Sequence, residues 1–386
     1  MYLIIIFNKE KKNMELKKIG ELITSNRILL GPGPSNYDPR VMKAMTSPLI
    51  SHLDPEIYPI LDETVELLKY LFKTKNEVTL PMSGTGTAGG ETAFTNVIEQ
   101  GDKAIVCLNG FFSERNIEMI ERCGGEVIRI DAEWGKPIDI EEIERTLKAN
   151  PDTKILSMTH GETSTGVLTP LEEVGKFCSQ TSTLFVVDAV PTLGGMDVDV
   201  DGWNIDICYS GTQKCLSAPP AMAPITFSQK AIDVIKNRKT KIQTLYLDAI
   251  ELMRHWGKER KYHHTLPIIM IYALREALRI IYEEGLEERF KRHEEVSQLL
   301  KTHLTDMGFK LFAQEGYRLP MLTAVELPEG LSEREIITKL LKEYNIEIGG
   351  GFGKLAGKLL RVGLMGYSCS KQNVYYLISA LKEIMS

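Results

Sequence analysis

From residue 78 onward, short unbroken apolar runs alternate with longer stretches in which apolar residues recur every three or four positions. The runs cover 78–82, 103–108, 126–130, 154–158, 184–188, 205–209 and 223–227. Runs of that length, apolar on both faces, predict buried strands, and the helical period between most of them predicts crossovers of a mainly parallel seven-stranded sheet in an α/β domain. Ser113 is placed to cap a helix that runs to Glu121 and stops at Gly124 and Gly125, and Pro170 marks another helix start. After Pro267 the pattern changes: a helical stretch to Glu284, a helix over 285–306, two strands, a helix over 331–344, two strands and a C-terminal helix from about Lys371. This predicts a smaller α+β C-terminal domain. The expected organisation is an N-terminal extension or crossover at 1–30, a large domain at 31–280 and a small one at 281–386.

Composition agrees with two cores, since 43% of 386 residues are hydrophobic. The 46 basic and 52 acidic residues leave a net charge of −6, and no segment gathers Lys and Arg among aromatics, so nucleic-acid binding is not expected. The six cysteines contain no Cys-x-x-Cys pair, which predicts reduced thiols in a cytoplasmic setting rather than disulfides or zinc. The apolar run at 2–7 is followed, not preceded, by Lys9, Lys11 and Lys12 and is too short for a signal peptide or a membrane span. It reads as a short strand or extension, with Met14 as an alternative start.

Three segments carry chemistry. Lys214 follows the 205–209 strand in Tyr209-Ser-Gly-Thr-Gln-Lys214, a position at the carboxyl edge of the sheet, where open α/β folds bind ligands. Asp188 ends the apolar strand Leu184-Phe-Val-Val-Asp188, where an ionised carboxylate needs a cation. A protonated pyridine nitrogen would supply one, paired with a lysine Schiff base; a helix-capping Asp is the alternative. Ser83-Gly-Thr-Gly-Thr87 lies between a strand and a helix, a geometry that binds phosphate. Gly84 to Gly89 also satisfies G-x-G-x-x-G, but the strand at 103–108 ends in Asn109-Gly110 and lacks the acidic residue a nicotinamide ribose requires.

Together with Gly31-Pro-Gly-Pro-Ser35, His160-Gly-Glu-Thr-Ser-Thr-Gly166, Tyr262-His-His-Thr265 and Leu360-Arg-Val-Gly-Leu364, these segments resemble class V aminotransferases of the serine–pyruvate and alanine–glyoxylate type, in order from about residue 30 to the C-terminus. The resemblance implies fold type I of pyridoxal-5′-phosphate enzymes and ping-pong transamination between a small amino acid (serine, alanine or glycine) and a small 2-oxo acid (pyruvate or glyoxylate). It makes Lys214 the Schiff-base lysine and proton carrier, Asp188 the partner of the pyridine nitrogen, and Thr163 a donor to the phenolic oxygen. Thr85, Gly86, Thr87 and Gln213 would hold the phosphate, Phe112 would stack on the ring, and Arg361 with Gly33 would bind substrate. Tyr262 and Thr265 would reach the phosphate of the neighbouring subunit in a homodimer with shared sites; no membrane partner is implied.

Two positions depart from the mammalian relatives: Phe112 stands where they place tryptophan, and Thr87 where they place histidine. His160 reads as a structural histidine, and the adjacent His263 and His264 cannot both face one metal. The 353–358 segment misses the G-x-x-x-x-G-K spacing and reads as a flexible turn. Two rival functions are a cysteine desulfurase or lyase and a binding protein on a degenerate fold. The first usually has His before the lysine, where this chain has Gln213, and the nearest candidate cysteine, Cys369, falls at a helix start. The second does not explain why Lys214, Asp188 and Arg361 occur together.

Overall fold

The structure is a computed structural model that describes residues 20–386; the expected strand at 2–7 lies outside them. Seven strands form the large sheet: β1 (Val78–Ser83), β2 (Lys103–Leu108), β3 (Glu126–Asp131), β4 (Ile155–Thr159), β5 (Leu184–Asp188), β6 (Ile207–Tyr209) and β7 (Met222–Phe227). Their spatial order is β1-β7-β6-β5-β4-β2-β3. Only β7 runs against its neighbours, pairing antiparallel with β1 and β6, while the other pairs are parallel. Strands β1, β4, β5, β6 and β7 are buried along their whole length, as a sheet covered on both faces requires.

Two helices of the large unit matter for the site: α1 (Gly86–Val97), which follows β1, and α2 (Phe111–Arg122), which follows β2. Ser113 is not the cap of α2. Gly110 holds that position and Ser113 is three residues on, its hydroxyl accepting from the Gly110 amide at 3.1 Å and the Asn109 amide at 3.2 Å. Reaching back from inside the first turn satisfies the amides of the cap residue and the one before it, the reverse half of a capping box. Beyond the large sheet come α3 (Ile268–Glu284) and α4 (Leu286–Asp306), followed by a four-stranded antiparallel sheet of β8 (Lys310–Leu311), β9 (Leu322–Glu326), β10 (Gly349–Gly350) and β11 (Leu359–Gly363). The C-terminal helix α5 spans Lys371–Met385.

The second hydrophobic core joins Leu300 and Leu304 of α4, Leu360 and Val362 of β11, and Val374 and Leu377 of α5. Leu30 belongs to this core as well, and Ile28–Leu29 pairs in parallel with Ile346–Glu347. The chain therefore passes from the second core at Leu30 directly to Pro32 and Gly33 beside Lys214.

Candidate active site

The register of the large sheet aligns Thr159, Asp188 and Tyr209 at the carboxyl ends of β4, β5 and β6. A cavity of about 200 Å³ opens there, and Thr85, Gly86, Thr87, Phe112, Thr163, Asp188, Gln213 and Lys214 all line it. Asp188 accepts the Val190 amide at 2.9 Å. Burial pushes its carboxyl up to about pKa 6; the Val190 amide, the Tyr209 hydroxyl and Lys214 offset this only in part, and nearby Glu162 adds to it. A buried carboxylate that is costly to ionise would be stabilised by a cation bound in the cavity.

The turn carrying Lys214 is held from several sides. Ser210 Oγ donates to the Ala189 carbonyl at 3.1 Å, Ser35 donates through its amide to Gln213 O and through its hydroxyl to Lys214 O, both at 2.8 Å, and Arg289 Nη2 donates to Cys215 O at 2.6 Å. The amine itself donates to the Pro32 carbonyl. Burial, followed by the Arg361 charge, lowers the Lys214 pKa to about 8, so the neutral, nucleophilic form is accessible near physiological pH. Gly33 adopts φ +109°, and any Cβ there would overlap Lys214 Nζ. The positive φ favours glycine, and a Cβ there would push the lysine amine out of its place.

Helix α1 begins at Gly86 after Thr85, whose hydroxyl makes no capping bond, which leaves the first-turn amides of Gly86 and Thr87 facing the cavity end as an anion site. The glycines that mimic a dinucleotide fingerprint serve packing: a Cβ at Gly86 would lie 2.9 Å from Val190 Cγ2, and one at Gly89 would lie 3.1 Å from Ala223 Cβ and 3.2 Å from Tyr209 Cβ. At the same end Gln213 Oε1 is buried without a hydrogen-bond partner.

Arg361 lies on β11, where its Nε donates to Gly350 O at 2.5 Å and its Nη1 to Thr163 O at 3.1 Å. Burial lowers its pKa to about 10, with Glu162 and Glu333 countering, so it remains charged at neutral pH. The structure thus gathers eight of the expected residues around one cavity, with Gly33 packed against Lys214 and Arg361 bonded to the Thr163 carbonyl beside it. Tyr262 and Thr265 are exposed and do not line this chain's own cavity.

Sequence reasoning passed over Glu162, whose side chain is fully buried. Its Oε2 accepts from the amides of Phe112 at 3.0 Å and Ser113 at 3.1 Å, and its Oε1 accepts from the Ser164 amide at 3.0 Å and hydroxyl at 2.6 Å. One carboxylate therefore caps α2, where Phe112 sits, and fixes the loop that carries Thr163. The signal was a lone acid inside an otherwise uncharged motif. Arg115, whose Nη2 lies 3.4 Å from Thr87 Oγ1, and Asn116, which accepts from the Tyr209 hydroxyl at 3.0 Å, also line the cavity without having stood out in the sequence.

His160 is buried, with Nδ1 3.0 Å from Thr192 Oγ1, and burial holds its pKa near 3, so it is a neutral structural group. His263 and His264 approach each other through Nδ1 at 2.7 Å, and His264 Nε2 lies 2.8 Å from Ser83 Oγ. Among the described residues no group of three or more His, Cys, Asp or Glu is placed to hold a metal ion, and no helix is long and apolar enough to cross a membrane.

The class-V aminotransferase family profile matches residues 28–373. Over 383 residues the chain is 40% identical to (S)-ureidoglycine–glyoxylate transaminase of Bacillus subtilis, covering 95% of this chain and 92% of that protein. It is 42% identical over 368 residues to alanine–glyoxylate aminotransferase of Oryctolagus cuniculus, covering 94% of each. The crystal structure of an alanine–glyoxylate aminotransferase from Nostoc sp. superposes with a TM-score of 0.94 at 42% identity, over 99% of this chain and 100% of that one. The chain belongs to the class-V aminotransferase family and is an aminotransferase of fold type I.

Proposed function

We propose that the protein transfers the amino group of a small amino acid, alanine, serine or glycine, to glyoxylate or pyruvate, with pyridoxal phosphate as its cofactor. One observation carries the reading: a single cavity is lined by an amine of depressed pKa, a buried carboxylate of raised pKa, an aromatic ring and a helix N-terminus whose Thr85 hydroxyl makes no capping bond among the described residues. That set fits the cofactor's aldehyde, protonated ring nitrogen, ring face and phosphate respectively. When bound, the cofactor supplies an electron sink for the substrate α-carbon.

The chain's own residues do the rest. Lys214 would hold the cofactor through its amine, and its Nζ would serve as the base that takes and returns the α-carbon proton. Asp188 would keep a protonated ring nitrogen in place, and Thr163 would donate to the ring's phenolic oxygen. Gly86, Thr87, Thr85 and Gln213 supply phosphate donors, with Arg115 adding charge at that end. Arg361 grips the α-carboxylate through its guanidinium fork. One pocket serves donor and acceptor in turn, which gives ping-pong kinetics. Glyoxylate is favoured as acceptor because it is common to the names of both relatives, whose amino donors differ.

The purified protein with pyridoxal phosphate, tested with alanine and serine against glyoxylate and pyruvate, should form glycine from glyoxylate and give parallel double-reciprocal lines. Absence of amino transfer from every small donor would refute the substrate class. Converging lines would refute the ping-pong scheme.

We further propose a homodimer with shared sites, in which Tyr262 and Thr265 reach the cofactor phosphate of the partner subunit. Their exposure outside their own cavity supports this. Mixing a Lys214→Ala chain with a chain carrying Tyr262→Phe and Thr265→Ala should create heterodimers with one intact and one doubly defective site. Activity should rise above both parents as subunits exchange. Exchange verified by mass without that rise contradicts shared sites.

A further inference from the structure

The loop between β10 and β11 carries Phe352, a residue to which neither the family comparison nor the mechanism gives a task. Its ring is 39% exposed, yet it is held among three groups of the site. Its centroid is 5.1 Å from that of Phe111 and 6.3 Å from that of Phe112, the ring that lines the cofactor cavity. Its other neighbour is Arg361, whose guanidinium carbon sits 4.1 Å from the ring centroid. A side chain on a loop of the four-stranded sheet thus lies between Arg361 and the start of α2.

The loop is anchored on both sides of this ring, so the ring is a wall with a fixed place. Before it, the Gly351 amide donates to Glu333 Oε1 at 3.1 Å. After it, Leu355 is buried with Ala324 and Leu359, its amide donates to Phe352 O at 2.9 Å, and Lys354 Nζ lies 4.3 Å from the centroid of Trp134. Gly353 turns the chain at φ +52°. Arg361 spends two of its nitrogens on Gly350 O and Thr163 O, while Nη2 makes no hydrogen bond among the described residues.

From this we infer that Phe352 determines substrate size: it bounds the space beyond the substrate β-carbon and confines the enzyme to short, uncharged side chains. The reasoning rests on the reading of Arg361 as the carboxylate site. A carboxylate on Arg361 and an α-carbon within reach of Lys214 fix the backbone of the substrate between those two residues. A longer side chain directed toward the mouth then meets the wall formed by Phe352 and Phe112. The wall is aromatic, so it offers a carboxylate-bearing side chain no hydrogen bond in exchange for lost water.

Phe352→Ala, with Phe352→Leu as a milder variant, should be compared with the parent holoenzyme using alanine and leucine as donors. Pocket walls of this kind discriminate by about 10- to 200-fold. The leucine-to-alanine ratio of kcat/KM should therefore rise at least ~10-fold in Phe352→Ala and by less in Phe352→Leu, with cofactor absorbance unchanged. A second readout avoids turnover: calorimetric affinity of the holoenzyme for 4-methylpentanoate relative to propionate should rise in the same order. If both donors and both acids change equally, Phe352 merely braces Arg361 and the inference fails. Arg361→Lys serves as the separate control, expected to raise KM for every donor because lysine cannot supply the fork. Unchanged KM values there would overturn the carboxylate site itself, and the inference with it.

Discussion

Lys214→Ala is expected to remove the visible absorbance of the bound cofactor and to slow amino transfer by at least ~10²- to 10⁴-fold, the contribution of a positioned acid–base group. Lys214 is the lysine that lines the cavity, and its backbone is clamped by Ser35 and, one residue on, by Arg289. The other basic side chain lining it, Arg115, cannot act as a nucleophile or base at neutral pH. Because burial and Arg361 bring the Lys214 pKa down to about 8, capture of pyridoxal phosphate by the cofactor-free protein should quicken as pH rises toward 8 and level off above it. A mutant that still turns over with bound cofactor would remove Lys214 from the mechanism.

The second large effect belongs to Asp188. Asparagine there keeps an oxygen for the Val190 amide and removes only the charge. Transamination should fall on the order of 10²- to 10³-fold, the usual cost of deleting one electrostatic partner of the reacting centre. Stability of the cofactor-free protein should move the other way. The Asp188 pKa is raised to about 6 in the fold from an ordinary 3.8, so the folded state binds the proton more tightly. Its contribution to stability is therefore intact below pH 3.8 and declines as pH rises to 6, a penalty of about 3 kcal/mol at neutral pH. Without cofactor, Asp188→Asn should thus melt higher than the parent at pH 7.5, with the gap shrinking toward pH 4. A mutant less stable at pH 7.5, or one with full activity, would contradict a buried carboxylate awaiting a cation.

How far the chain could be read in advance depended on how local the determining interactions are. Leu184–Asp188 and Lys103–Leu108 are legible to the residue because each is a continuous apolar run stopped by a polar group or an Asn-Gly pair. The expected strand at 205–209 starts two residues late, at Ile207, because the Ile205 amide is taken by Val200 O and Asp206 turns its carboxylate to the Phe185 amide at 3.0 Å. In the small sheet, β10 is Gly349–Gly350, which carries no hydrophobic period, so three strands stand in the region between Ile346 and Gly363 where two were expected.

The site divides in the same way. Lys214, Asp188 and the Ser83–Thr87 loop announce themselves by their position after strands. Glu162 does not, because the amides that justify its burial come from residues some fifty positions earlier. Phe352 is likewise silent in sequence: Phe111 and Phe112, about 240 positions earlier, meet it only when the small sheet packs against α2.

Attachment of pyridoxal phosphate to Lys214 can be read directly by chemical trapping. The purified protein is loaded with pyridoxal phosphate, reduced with borohydride, digested and mapped by mass, with a parallel sample treated with alanine before reduction. The reduced cofactor should appear on the peptide containing Lys214 in the first sample and be lost, with release of pyruvate, in the second. Label on another lysine, or label at Lys214 that alanine does not remove, would contradict it.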